Sequence, residues 1–128
     1  MRLLLDTHVL LWTVASSRRL SKEARKLIED PENDVFYSAA SLWEIAIKSS
    51  LRRSDFRVDV EAFHAALSET GLAELPIRAV HAIAVIRLPE VHRDPFDRLL
   101  VAQSVTEPLV LVTNDEILGK YPAAVRLV

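Results

Sequence analysis

The sequence predicts an α/β protein built on a parallel sheet with helices on both faces. Short apolar runs recur along the chain without alternating in polarity, as expected for strands covered on both sides. Longer amphipathic segments separate them, and several of these open on a good helix-capping residue. Strand–helix alternation of this kind favours parallel pairing, because each crossover then carries a helix onto a face of the sheet. In such sheets, ligands bind beyond the carboxyl ends of the strands.

Five strand candidates follow in order: Leu3 to Leu5, Val35-Phe36-Tyr37, Leu75 to Ile77, Leu109 to Val112 and Val125 to Val128. Between them, Ser21 can cap a helix through Ile28, and Ser41 one through about Ser50. Asp59 can cap a third helix ending at Gly71, a residue suited to the left-handed turn after a helix. Arg78 to Ile86 reads as helical. Asp94-Pro95 opens another helix through about Val105, with proline at its favoured first position.

The 128 residues predict one domain spanning 1–128. Half of them are hydrophobic and 27% are charged, an ordinary globular composition. Cysteine is absent, which excludes a disulfide scaffold, a thiolate zinc site and a cysteine nucleophile. Asp6 and His8 interrupt the apolar start too early for a signal peptide, and no apolar run approaches a membrane span. A soluble protein of the cytoplasm, without membrane contact, is expected. Only two glycines occur, so no glycine-rich phosphate loop is present. Eighteen acids against 16 bases give a charge of −2 and no general pull towards nucleic acid.

The positions of the acids say more than their sum. Asp6 follows the first strand directly, and Glu44 falls in the first turn of the helix after the second. Asp97 lies in the first turn of the Asp94 helix, and Asp115 follows the fourth strand after Thr113-Asn114. A parallel sheet brings Asp6, Glu44 and Asp115 to one edge, and Asp97 joins them if its helix starts there. Four converging carboxylates need protons or a cation. Oxygen ligands without cysteine point to Mg²⁺ or Mn²⁺, which binds a phosphate and activates a water for attack on phosphorus. Each acid also has a local reading. Asp6 can cap the next helix, Ser41-x-x-Glu44 fits a capping box, Asp97 suits the helix dipole, and Asp115 suits a turn.

Other residues carry weaker signals. Thr7 and Thr113 each adjoin a candidate acid and can orient a carboxylate or cap backbone. The four histidines show no metal-ligand spacing; His92, just before Asp94-Pro95, could touch the cleft but reads more readily as a surface residue. Trp12 and Trp43 read as core or a dimer face. Lys48, Arg52 and Arg53, with Arg57 beyond, form a basic cluster, while Arg93 and Arg98 flank Asp94 and Asp97. These bases suit either an RNA-binding rim or local helix-end and ion-pair roles.

Four segments together resemble one family: Leu-Leu-Asp6-Thr-His-Val-Leu-Leu-Trp, Ser38-Ala-Ala-Ser-Leu-Trp-Glu44-Ile-Ala-Ile-Lys48, His92-Arg-Asp-Pro-Phe-Asp97-Arg-Leu-Leu-Val-Ala-Gln103 and Leu111-Val-Thr-Asn-Asp115. They look like a PIN domain, and most like the VapC-like toxins of type II toxin–antitoxin systems, over essentially the whole chain. The resemblance implies a Rossmann-like three-layer α/β/α sandwich around a short parallel central sheet. It also implies a Mg²⁺- or Mn²⁺-dependent endoribonuclease. Asp6, Glu44, Asp97 and Asp115 then become the catalytic and metal-binding acids, and Asp94 becomes a helix cap. A homodimer, an RNA substrate and a VapB-like antitoxin are implied as well, with promoter DNA bound only through the antitoxin.

Two other readings remain. One is a non-catalytic PIN-like module that binds RNA or protein. The other is a phosphatase or phosphoacceptor domain, which also places an aspartate after its first strand, but Thr113-Asn114-Asp115 stands where a receiver-like domain wants lysine. Setting the four acids aside leaves 14 acids against 16 bases. A metal-loaded pocket would therefore meet RNA on better terms than the net charge states.

Overall fold

A computed structural model describes residues 1–51 and 57–128. The chain runs β1 (Arg2–Leu5), α1 (Thr7–Val14), α2 (Lys22–Glu29), β2 (Asp34–Ser38), α3 (Ala39–Ser50), α4 (Val60–Leu67), β3 (Ala73–Leu75), α5 (Ala79–Ala84), α6 (Pro95–Thr106), β4 (Val110–Thr113) and β5 (Val125–Leu127). Two 3₁₀ turns, Val85–Arg87 and Glu116–Lys120, follow α5 and β4.

All strand pairs are parallel, in the order β3-β2-β1-β4-β5. Successive crossovers step from β1 out to β3, then the chain returns to the other side of β1 with β4. The order therefore reverses between β1 and β4, where Leu4 pairs with Leu111. A switch of this kind splays the connections apart at the carboxyl edge and leaves a crevice there.

The apolar strand runs explain the layering. Leu3 and Leu5 bury against Val9, Leu10, Ala24, Ile45, Phe63 and Leu67 on one face. Leu4 and Leu111 bury against Leu100, Val101 and Leu118 on the other. The expected three-layer α/β/α sandwich around a short parallel sheet is the observed architecture. No helix among the described residues is long and apolar enough to cross a membrane.

Several boundaries differ from expectation for physical reasons. Ser38, not Ser41, caps α3, its hydroxyl accepting the Ala40 amide at 3.0 Å. The helix therefore starts earlier and Glu44 falls in its second turn, so the Ser41–Glu44 capping box does not form. The third strand is Ala73–Leu75, because Pro76 supplies no amide to continue it. The third predicted helix stops at Leu67, where the Ser68 amide closes onto His64. Gly71, at φ 79°, serves the turn into β3 instead. The helix expected over Arg78 to Ile86 is α5 followed by a 3₁₀ turn. Asp94 caps α6 by accepting the Phe96 amide at 2.8 Å. Ser21 and Asp59 cap α2 and α4 as expected. Arg52 and Arg53 lie outside the described residues.

Ser38 also ties α3 to α6, because its hydroxyl donates to Gln103 Oε1 at 2.5 Å in the fully buried interior. Ser38→Ala removes a helix cap and leaves a buried amide oxygen without a donor. Urea unfolding is expected to show a loss of about 1–3 kcal/mol. A loss under about 0.5 kcal/mol would show that neither bond matters.

Candidate active site

The four predicted acids gather at the carboxyl edge of the sheet, beside the β1/β4 switch point. Asp6 stands at the end of β1 and is 4% exposed, and Glu44 on α3 is 3% exposed. Asp97 enters from the first turn of α6 and Asp115 from the turn after β4.

Each acid is held by donors that its local structure provides. Asp6 Oδ1 accepts the Val9 amide at 2.9 Å, which makes Asp6 the cap of α1. Its Oδ2 accepts the Thr113 hydroxyl. Thr113 in turn accepts the Asp115 amide at 3.0 Å. Glu44 Oε1 accepts the Thr7 hydroxyl at 2.7 Å, and Ser41 lies 2.9 Å from the same hydroxyl. Thr7 has one proton and gives it to Glu44, so Ser41 donates to Thr7. Asp115 accepts the Ile117 amide at 3.0 Å. The capping roles of Asp6 and Asp115 thus coexist with their place in the cluster.

This crowding shows in the acidities. Burial, with the charges of Asp94, Glu44 and Asp6, pushes Asp97 up to about 7, against a smaller opposing pull from His92. Burial also raises Asp6 above the usual carboxylate range, more than the Thr113 and Val9 hydrogen bonds lower it. The fold therefore holds carboxylates where their charges oppose one another.

Two basic side chains already respond to that field. Lys48 Nζ lies 2.5 Å from Glu44 Oε2, one helical turn on. Burial pulls its ammonium pKa down, but the bond to Glu44 and the charges of Asp94 and Asp97 raise it overall. Lys48 is thus paired inside the site, the local ion-pair role that was one of its two readings. His92 is the second, and its reading as a surface residue is corrected. Its Nδ1 accepts the Asp94 amide at 3.0 Å, which leaves the proton on Nε2. That nitrogen lies 3.3 Å from Asp97 Oδ2 and 3.4 Å from Asp115 Oδ2. Tyr121 holds the His92 backbone, its hydroxyl accepting the His92 amide at 2.9 Å.

The donor set fits a divalent cation. Carboxylate oxygens dominate, their mutual repulsion calls for positive charge, and Lys48 supplies only part of it. His92, Asp97 and Asp115 each offer an atom within 4.8 Å of the others. The His92 Nε2 lies between the two acids, within ion-pair distance of both.

Other expectations divide. Thr7 and Thr113 orient carboxylates, as one of their two readings held. Arg98 makes no ion pair with an acid among the described residues; it donates to Pro89 O at 2.9 Å and Val85 O at 3.1 Å, and with His92 and Arg93 lines a surface cleft. Trp12 packs against the core, whereas Trp43 is 55% exposed and is not a core residue. Sequence reasoning missed Ser41 as a partner of Thr7. The Glu44–Lys48 pair was legible, because the two stand four apart on one helix.

A three-layer parallel α/β domain with four carboxylates at the carboxyl edge of its sheet is the class that fold and site define. The PIN domain pattern matches residues 3–124, and the chain belongs to the PIN domain family. It is 31% identical over 118 residues to Ribonuclease VapC22 of Mycobacterium tuberculosis, covering 92% of this chain and 90% of that protein. The fold is shared with VapBC2 from Rickettsia felis bound to a promoter DNA fragment (TM-score 0.72, 16% identity, 99% and 98% of the chains covered). It is also shared with VapBC-5 from M. tuberculosis (TM-score 0.61, 18% identity, 99% and 97% covered).

The raised acidity of Asp97 fixes the sign of a pH dependence. The unfolded chain releases this proton near 3.8 and the folded chain near 7, so the folded state binds more protons between them. In EDTA, stability from this group is complete below about pH 4, falls as pH rises to about 7, and then levels off. Asp6 contributes with the same sign. Asp97→Asn is expected to flatten much of the decline and to raise metal-free stability at pH 7.5. The shift sets a ceiling of about 4 kcal/mol, which solvent screening lowers to about 1–2 kcal/mol. Thermal unfolding of both proteins from pH 4.5 to 8 checks this; parallel curves would contradict it.

Proposed function

We propose that this chain is a metal-dependent endoribonuclease of the VapC-like toxin class. The observation that carries the reading is the four-carboxylate cluster at the switch point, with Asp97 driven to about 7 by burial and by its neighbours' charges. Its 31% identity with a ribonuclease supports RNA as the substrate.

Asp6 and Asp97 would hold Mg²⁺ or Mn²⁺, with Glu44 and Asp115 as further ligands or water-orienting groups. When bound, the cation polarises the phosphate and provides a nucleophile at neutral pH. The chain's own residues prepare that site. Thr113 and the Val9 amide keep Asp6 from rotating, and the Ser41–Thr7 relay does the same for Glu44. His92 directs its Nε2 proton between Asp97 and Asp115. Hydrolysis leaves a 3′-hydroxyl and a 5′-phosphate, as the family resemblance implies.

Residues 1–128 act as one PIN domain, in the cytoplasm where RNA is available. A VapB-like antitoxin restrains it and carries any promoter DNA contact; the VapBC complexes that share the fold support this. A homodimer is part of the same reading. Val80, Ile83 and Ile86 on and just after α5, with Val105 of α6, leave large aliphatic groups exposed in support of it.

Purified protein is expected to cleave structured RNA with Mg²⁺ or Mn²⁺ and to stop in EDTA. Asp6→Asn and Asp97→Asn are each expected to lower kcat/KM at least about hundredfold. Cleavage that survives both EDTA and Asp6→Asn would sink the proposal. Calorimetry detecting no Mn²⁺ binding at neutral pH would favour a non-catalytic module.

A further inference from the structure

We propose that Trp43 and Phe96 form a stacking platform for one unpaired base of the RNA, beside the bond that is cut. The inference rests on the ribonuclease reading and adds what feature of RNA the site accepts. Trp43 directly precedes Glu44 on α3, and Phe96 directly precedes Asp97 on α6. The rings meet edge to face, with centroids 5.1 Å apart and planes at 74°. The aromatic pair thus bridges the same two helices that deliver two of the acids.

An indole normally buries most of its large apolar surface. Here α3 turns Ala40, Ser41, Glu44 and Ile45 inward and leaves Trp43 55% exposed. Phe96 is half-buried and fixes the indole against α6, so the exposed surface is held in place. The other large exposed apolar groups on α5 and α6 are aliphatic; Trp43 offers a π surface next to the acids.

Flat, rigid aromatic groups near positive charge suit single-stranded nucleic acid, because every base has a face to stack. The exposed Arg93, three residues before Phe96, supplies such charge. A base within a duplex already has stacking partners on both sides, whereas a loop base can be splayed onto a protein ring. The platform therefore selects loops and single strands, with little dependence on base identity.

The first arm is kinetic. Trp43→Ala is expected to raise KM for a loop-containing RNA about 5- to 100-fold, with kcat changed less than threefold and Mn²⁺ affinity intact. Trp43→Phe should recover most of the loss. A single abasic nucleotide is then walked through the cleaved loop. At one position flanking the cut it should weaken the wild type and leave Trp43→Ala unaffected. Additive losses at every position, or an unchanged KM, would overturn the platform.

The second arm needs no cleavage. Single-stranded RNA oligonucleotides carrying one 2-aminopurine are titrated with Asp6→Asn protein in Mn²⁺. Quenching that Trp43→Ala abolishes and Trp43→Phe largely retains supports stacking, even should the wild type cut no RNA and the ribonuclease reading fail. Equal quenching by Asp6→Asn protein with and without Trp43→Ala overturns it. So does a Trp43→Ala protein that changes its oligomeric state while binding RNA normally, which would assign the face to a second copy.

Discussion

One hydroxyl joins the elements on which the site depends. Thr113, the last residue of β4, donates to Asp6 at the end of β1 and accepts the amide of Asp115. The two central strands are thereby tied across the point where the strand order reverses. Asp6 can keep this orientation only while the β1–β4 register holds, with Leu5 opposite Val112. Sheet register and carboxylate geometry are accordingly one constraint. The cap that Asp6 provides to α1 makes the helix direction part of it too.

The fold accepts an electrostatic cost at this edge and offsets it elsewhere. Hydrophobic burial on two faces of the sheet holds together groups that repel each other in isolation. Among the described residues, no buried side-chain nitrogen or oxygen lacks a hydrogen-bond partner. The tension is therefore one of charge alone: the acids are well bonded and poorly neutralised. Lys48 relieves part of it through its ion pair with Glu44.

Much of the fold was legible because it depends on local chemistry. Continuous apolar runs marked the strands, and Ser21, Asp59 and Asp94 marked helix starts. The acids were legible because strand ends and helix starts define their places in a parallel sheet. What failed depended on competition between similar signals or on tertiary contacts. Ser38 and Ser41 are both plausible caps, and the buried bond from Ser38 to Gln103 decides between them. His92 looked peripheral because its role arises from Tyr121, Asp97 and Asp115, all distant from it or set by a loop. Trp43 read as core or a dimer face, and the core half of that reading failed because hydrophobicity reports what a side chain prefers, not which face of a helix it stands on.

The positions of the four acids along the chain have a consequence for when the pocket exists. Of the four acids, Asp6 is made first and Asp115 last. β4, which carries Thr113, can join β1 only after β2 and β3 have been made. A growing chain can therefore hold three of the acids and still lack the hydroxyl that orients the first and the turn that presents the fourth. Chain order alone therefore makes the complete pocket a late product of synthesis.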